Sequence, residues 1–175
     1  MKQDLLCLTQ LANHSRDAAS VLHDAVKKGC RACISEISDL NRQALSDLAD
    51  AERRLCAHTS APLSSAYRLT NCVHGAFSAA MLLPEDLPYL PPLCEIAACN
   101  EQLSEYPLLI LKERKIDFYS LHLAANKGRG AQAILLSNYC ATEGGRRLLP
   151  LALAMEAHRN ALERACEQLL CEIGA

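Results

Sequence analysis

The chain of 175 residues contains no tryptophan, and aromatic side chains make up only 4% of it. Bases of single-stranded nucleic acids stack on aromatic rings, and this chain has few such rings to offer. The formal net charge is −2, which provides no basic field to attract phosphates. We therefore do not expect nucleic acid to be a partner of this protein.

Long apolar runs and an export signal are also missing. The longest apolar stretches, such as Leu148 to Met155, are far shorter than the roughly 20 residues that a membrane-spanning helix needs. The first residues reach Asn13 and His14 before any apolar segment of a signal peptide develops. We expect a cytoplasmic protein without membrane insertion.

Strand signals are nearly absent, since the chain has neither β-branched alternation nor an Asn-Gly or Asp-Gly hairpin turn. Apolar residues instead recur at three- and four-residue spacing along most of the chain. With 50% apolar and 22% charged residues, the composition is that of a globular protein. The predicted fold class is therefore all-α, an antiparallel helical bundle.

Three helices are predicted before residue 84. The first ends at Gly29, which can adopt the left-handed conformation that closes a helix. The second runs from Ile34 to near Thr59, and the third runs from about Leu63 to Leu83. The inner face of the first helix comprises Leu5, Leu8, Leu11, Ala12, Ala18, Ala19, Leu22 and Val26, that of the second Ile34, Ile37, Asn41, Ala44, Leu48, Ala51 and Leu55, and that of the third Ala66, Leu69, Val73, Phe77 and Ala80.

The clearest break in the sequence is the segment 84–92, which holds four of the seven prolines. It separates residues 1–83 from residues 93–175. In the second part we expect a helix that kinks or breaks at Pro107, a helix interrupted at Asn126–Gly130, and a final helix that ends near Ile173. The predicted organisation is two three-helix halves joined by a proline-rich connector, with the second half packed on the first.

The ten cysteines lie mostly among apolar residues, where a thiol acts as a small buried hydrophobe. Cys30-x-x-Cys33 is the exception, because it opens the second helix, where the helix dipole lowers the pKa of a thiol. The strand of a thioredoxin-like unit does not precede it, and a four-cysteine zinc site would need a second such pair. A metal or redox site at Cys30 and Cys33 stays open as an alternative to burial.

His74 and His158 are further candidate metal ligands, although both positions also suit a hydrogen-bonded histidine in the core. Glu101 with Glu105, and Glu163 with Glu167, place paired carboxylates on one helix face. Nearby cations favour a solvated surface for these pairs over a cation site. No residue pattern specifies a catalytic site or a cofactor.

The layout of the first three helices resembles the PhoU-like family of phosphate-transport regulators. The matching stretches are Leu8 to Lys28, Ile34 to Leu55, and Ala61-Pro62 leading into Tyr67-Arg68-Leu69, and Met155 to Leu169 matches a repeat of the second helix. Members of that family bind metals through acidic motifs, but this chain has Ser38, Asn41 and Arg42 at the corresponding positions. The resemblance therefore implies the bundle without the metal ligands.

What the resemblance implies for function is a non-enzymatic regulatory or adaptor protein. Such a protein acts by contact with a transporter or signalling component, or by self-association. The alternative is a metal- or thiol-dependent sensor or enzyme that uses Cys30 and Cys33.

Overall fold

The computed structural model describes residues 2–55, 61–113, 118–143 and 145–173. These residues form six α-helices and contain no strand, which confirms the predicted all-α helical bundle. The helices are α1 (Lys2–Lys28), α2 (Ile34–Leu55), α3 (Ala61–Met81), α4 (Pro91–Glu113), α5 (Phe118–Leu135) and α6 (Leu149–Ile173). Short 3-10 helices at Arg31–Cys33 and Arg146–Leu148 precede α2 and α6, and α5 continues as a π-helical turn at Leu136–Cys140.

The first helix ends where the sequence predicts, at Gly29, whose φ is +63°. A glycine is required there for a second reason, because a β-carbon would lie 2.9 Å from the carbonyl oxygen of Leu87. The corner between α1 and α2 is therefore in close contact with the connector. The predicted end of the second helix near Thr59 lies outside the described residues.

The helix breaks that the sequence predicts do not occur. We expected a kink or a break at Pro107, and helix α4 passes through this residue without ending; the nearby side chains of Leu103, Tyr106 and Leu108 are buried. Helix α5 is likewise continuous through Asn126–Gly130, where we expected an interruption. Gly128 lies on the buried face of α5, so its missing side chain permits close packing and does not end the helix.

Four helices form the centre of the bundle: α1 packs on α3 and α4, and α6 completes the ring by packing on the same two helices. Helix α2 covers α1 and α3 from outside, whereas α5 packs mainly on α4 and less on α6. Pairing is antiparallel across the centre. In the α1–α4 pair, His23 contacts Glu101. In the α3–α6 pair, Ser65 near the start of α3 contacts Glu172 near the end of α6.

One continuous core includes buried side chains from all six helices and from the connector. Leu87 and Leu90 anchor the connector in this core. Helix α4 already begins at Pro91, whose lack of an N–H group is harmless in the first turn. Leu5 departs from its predicted inner position and is exposed, while the rest of the α1 stripe is buried. The division into two domains stays a prediction.

Candidate functional site

Cys30 and Cys33 line one cleft of about 370 Å³ at the corner between α1 and α2. The 3-10 helix Arg31–Cys33 lies beside this cleft, and side chains three residues apart are nearly eclipsed in such a helix. The Sγ atom of Cys33 lies 3.8 Å from the carbonyl oxygen of Cys30. Cys30 is exposed and Cys33 is half-buried, so the cleft is open to solutes.

Two carboxylates share this cleft with the thiols. Asp24 accepts a hydrogen bond from Nζ of Lys28 at 2.6 Å, and this contact lowers the pKa of the Asp24 carboxyl. Glu36 lies on the opposite wall, at the start of α2. Burial raises the pKa of the Cys33 thiol, and the nearby Cys30 and Glu36 act in the same direction. Proximity to the helix start therefore does not make Cys33 a low-pKa nucleophile.

The other described cysteines fit the prediction of small buried hydrophobes in part. None of the nine described cysteines forms a disulfide. The buried ones are Cys72, Cys99, Cys140 and Cys166. Burial raises the pKa of Cys72 to about 12 and that of Cys166 still further, so both stay protonated thiols. Cys171, by contrast, is exposed on α6.

The two candidate histidines occupy different environments. His158 is fully buried, and burial lowers its pKa to about 4, so it is a neutral core histidine at neutral pH. His74 is exposed on α3, although it was expected near the inner face, and its ring lies 6.2 Å from that of Phe77. Neither histidine lines the cleft of Cys30 and Cys33.

In the described part of the chain, no group of three or more His, Cys, Asp or Glu side chains is arranged to hold a metal ion. Two other histidines instead pair with carboxylates across helix interfaces. Nδ1 of His23 lies 2.6 Å from Oε2 of Glu101, and Nε2 of His14 lies 3.0 Å from Oδ2 of Asp47. These pairs join α1 to α4 and to α2.

Side-chain amides form a second buried polar feature, at the interface of α4, α5 and α6. Nδ2 of Asn100 donates to the carbonyl oxygen of Met155 at 3.0 Å, and Nε2 of Gln132 donates to that of Ala152 at 2.9 Å. The Asn100 amide also lies 3.4 Å from Nδ1 of His158. An amide nitrogen can only donate, so in this contact Nδ1 is the acceptor.

Arg159 is buried beside these amides, with 2% of its side chain exposed. Its Nε lies 3.5 Å from Oε1 of Glu163, and the other oxygen of that carboxylate, Oε2, accepts a hydrogen bond from Arg129. Burial lowers the pKa of the Arg159 guanidinium, and the charges of Glu156 and Glu163 oppose that shift. The carboxylates next to Arg159 therefore offset part of the cost of burying its charge.

The outward face of α5 exposes apolar side chains. Its residues step by four, four, three and four, which is the repeat of a single helix face. We call this face the α5 surface; it comprises Tyr119, Leu123, Lys127, Gly130 and Ile134. The exposed fractions of Tyr119, Leu123 and Ile134 are 74%, 54% and 49%.

A cleft of about 370 Å³ adjoins the α5 surface, in the groove between α4 and α5. Its walls are mostly apolar and come from Pro92, Gly130, Ala131 and Ile134. An ion pair borders it, because Nζ of Lys127 lies 2.7 Å from Oε1 of Glu95. The α5 surface thus combines apolar side chains, an adjoining depression and a polar edge.

No protein-family model matches this chain, and no curated protein matches it significantly. In the portion described by the structure, no helix combines the length and apolar character that crossing a bilayer demands.

Sequence reasoning did not find the α5 surface or the buried Arg159. The glycines at positions 128 and 130 predict a helix break in this segment, and a broken helix would not present one continuous exposed face. Tyr119, Leu123 and Ile134 fall on one face at helical spacing, although Lys127 and Gly130 lie between them, and this spacing is the signal that could have found it. Nothing in the sequence marks Arg159 for burial, because arginine beside glutamates is typical of a solvated face.

Proposed function

We propose that this protein is a non-enzymatic adaptor whose α5 surface binds an amphipathic helix of another protein. The observation that carries the proposal is the row of exposed side chains on α5, with Tyr119 at 74% and Leu123 at 54% exposure. An exposed apolar stripe at helical spacing is the surface used when a partner helix lies in a groove. Helix α5 is packed against the bundle on its other side, so the stripe is held on a rigid support.

The aromatic residues support the same conclusion. The chain has only five tyrosines and two phenylalanines, yet Tyr67, Tyr89, Phe118 and Tyr119 are all exposed. Tyrosine is enriched at the centres of protein interfaces, because it adds contact area with little loss of side-chain freedom. Phe118 and Tyr119 lie together at the start of α5, which places an aromatic anchor at one end of the stripe.

The groove beside Ile134 provides the second anchor. Pro92 and Ala131 give it apolar walls, and a leucine or methionine of a partner helix would fill part of the 370 Å³ cleft. The Lys127–Glu95 ion pair at its edge offers polar contacts of both signs to residues flanking the partner's apolar stripe. Apolar anchors with a polar rim are the usual composition of such an interface.

For the partner, we propose a phosphate-transport or signalling component, as the PhoU-like helix layout implies. Helix order and length support this choice: three long helices precede the connector, and a 25-residue helix ends the described chain. A soluble domain or a cytoplasmic loop of such a component is the expected source of the helix.

Site-specific photo-crosslinking tests this proposal. A benzophenone side chain is introduced in place of Tyr119 and, as a control, in place of Gln43, which is exposed on α2. After irradiation in the source cells, the proposal predicts one crosslinked partner at position 119 that is missing at position 43. Leu123→Asp, combined with the benzophenone side chain at position 119, should remove that crosslink.

Two results would contradict the proposal. One is a crosslink pattern that is the same at both positions. The other is a product that contains only two copies of this chain, which would make the α5 surface a self-association interface instead.

A further inference from the structure

We propose that Cys30 and Cys33 bind a single soft monovalent cation, copper(I), in the cleft between α1 and α2. The proposal rests on the shared position of the two thiols in a cleft of about 370 Å³ and on the charges around them. It does not depend on the adaptor function, since the α5 surface contributes no residue to this cleft.

The local backbone suits two-coordinate binding. Gly29 turns the chain with its φ of +63°, the 3-10 helix Arg31–Cys33 follows, and Cys30 and Cys33 line the same cleft. Soft thiolate ligands select copper(I) among the biological cations, whereas zinc is normally held by four ligands. Since no set of three or more ligands is assembled among the described residues, a cation satisfied by two thiolates fits best.

The charge of the cleft favours a cation over a disulfide exchange reaction. Asp24 and Glu36 line the cleft together with the thiols, and Lys28 is already engaged by Asp24. Their carboxylates repel anionic thiol reagents. Copper(I) carries a positive charge, so the same carboxylates attract it to the cleft.

The binding step is a ligand exchange without electron transfer. Two Cu–S bonds form, the two thiols release two protons, and the ligands that delivered the copper leave it. Copper stays in the +1 state. The bis-thiolate product gains one negative charge relative to the two neutral thiols, and neighbouring Lys28 partly offsets it.

The test is an anaerobic competition between the reduced full-length protein and bathocuproine disulfonate, a coloured copper(I) chelator. We expect the protein to withdraw one equivalent of copper(I) per chain from the chelator. Cys30→Ser and Cys33→Ser each remove one ligand of the copper ion. Loss of a group that only hydrogen-bonds to a metal ligand weakens metal binding roughly 10- to 100-fold, so each serine variant should weaken it by more than that. Cys171→Ser, at an exposed cysteine on α6, should leave the affinity unchanged.

Alkylation with iodoacetamide followed by peptide mass spectrometry locates the metal independently of the variants. One equivalent of copper(I) should protect Cys30 and Cys33 and leave Cys171 reactive; circular dichroism verifies that each variant is folded. The proposal is overturned if the protein takes no copper from the chelator, if the serine variants at 30 and 33 bind as well as the parent, or if protection falls on other cysteines. Formation of a Cys30–Cys33 disulfide with peroxide, without copper binding, would also overturn it.

Discussion

Gly128 on α5 lies directly against Arg159 on α6: a β-carbon at position 128 would come within 3.2 Å of Cδ of the arginine. The same β-carbon would lie 3.3 Å from Cβ of Cys99 on α4. The absence of a side chain at position 128 therefore leaves room for the buried Arg159 side chain where α4, α5 and α6 meet.

The first prediction compares Gly128→Ala with Gly130→Ala. Alanine at 130 meets no atom within 4 Å, so it should stabilise the protein by up to about 1 kcal/mol through helix propensity. Alanine at 128 should destabilise it, by roughly 1–3 kcal/mol, because the crowded neighbours include a β-carbon that cannot move freely. Urea unfolding of both variants measures the difference. Equal effects at the two positions would mean that Arg159 does not pack on Gly128.

The second prediction concerns the charge that compensates Arg159. Glu163→Gln should lower the free energy of unfolding by roughly 1–3 kcal/mol, because the guanidinium then loses the more buried of its two neighbouring carboxylates. Glu167→Gln, at an exposed position on the same helix, should change it by less than about 0.5 kcal/mol. A loss of the same size in both variants would show that burial of Arg159 does not depend on Glu163.

The third prediction is a pH dependence that originates at His158. The folded protein keeps this side chain neutral to about pH 4, whereas the unfolded chain protonates it below the ordinary pKa of 6.5. The unfolded state thus binds more protons between these values, so stability is complete above pH 6.5 and falls as the pH decreases toward 4. The loss from this residue should be on the order of 3 kcal/mol.

His158→Gln provides the measurement for that prediction. Its free energy of unfolding between pH 7 and 4 should fall less steeply than that of the parent, even if it is lower at pH 7. His122→Gln, at an exposed position, should retain the parental slope. Parallel curves for His158→Gln and the parent would contradict the buried neutral histidine.

The fourth prediction ranks the cysteines by reactivity. Exposed Cys30 and Cys171 should be alkylated fastest in the metal-free native protein, and half-buried Cys7, Cys33 and Cys94 should follow. Cys72 and Cys166 should react only as the protein unfolds, because burial both blocks access and raises their pKa values. Peptide mass spectrometry over time gives the order. Rapid native labelling of Cys72 or Cys166 would contradict the packing of α3 against α6.

The helices that the sequence predicts best are those whose apolar stripe is dense and ends at a clear signal. Helix α6 is one, because its stripe from Leu151 to Leu169 is buried and Pro150 falls in its first turn as expected. Helix α1 is another, since Gly29 ends it. The prediction that failed for α5 treated Gly128 as a local breaker, whereas tertiary packing against Arg159 decides the conformation there.

The candidate sites could be predicted only where they are local in sequence. Cys30 and Cys33 are three residues apart, so their common position follows from the turn between them. Asn100 and His158 are far apart in the chain and meet only through the packing of α4 on α6. No single-sequence pattern contains that pairing, and the same holds for the groove between Pro92 and Ile134.

Comparison of Leu123→Asp with Leu45→Asp tests the central claim most directly. Both leucines are about equally exposed, at 54% and 50%, but only Leu123 belongs to the α5 surface. The variants should unfold at similar urea concentrations. The amount of partner recovered by crosslinking through a fixed benzophenone at position 119 should fall to background for Leu123→Asp and stay at the parental level for Leu45→Asp. Equal recovery from the two variants would contradict binding at the α5 surface.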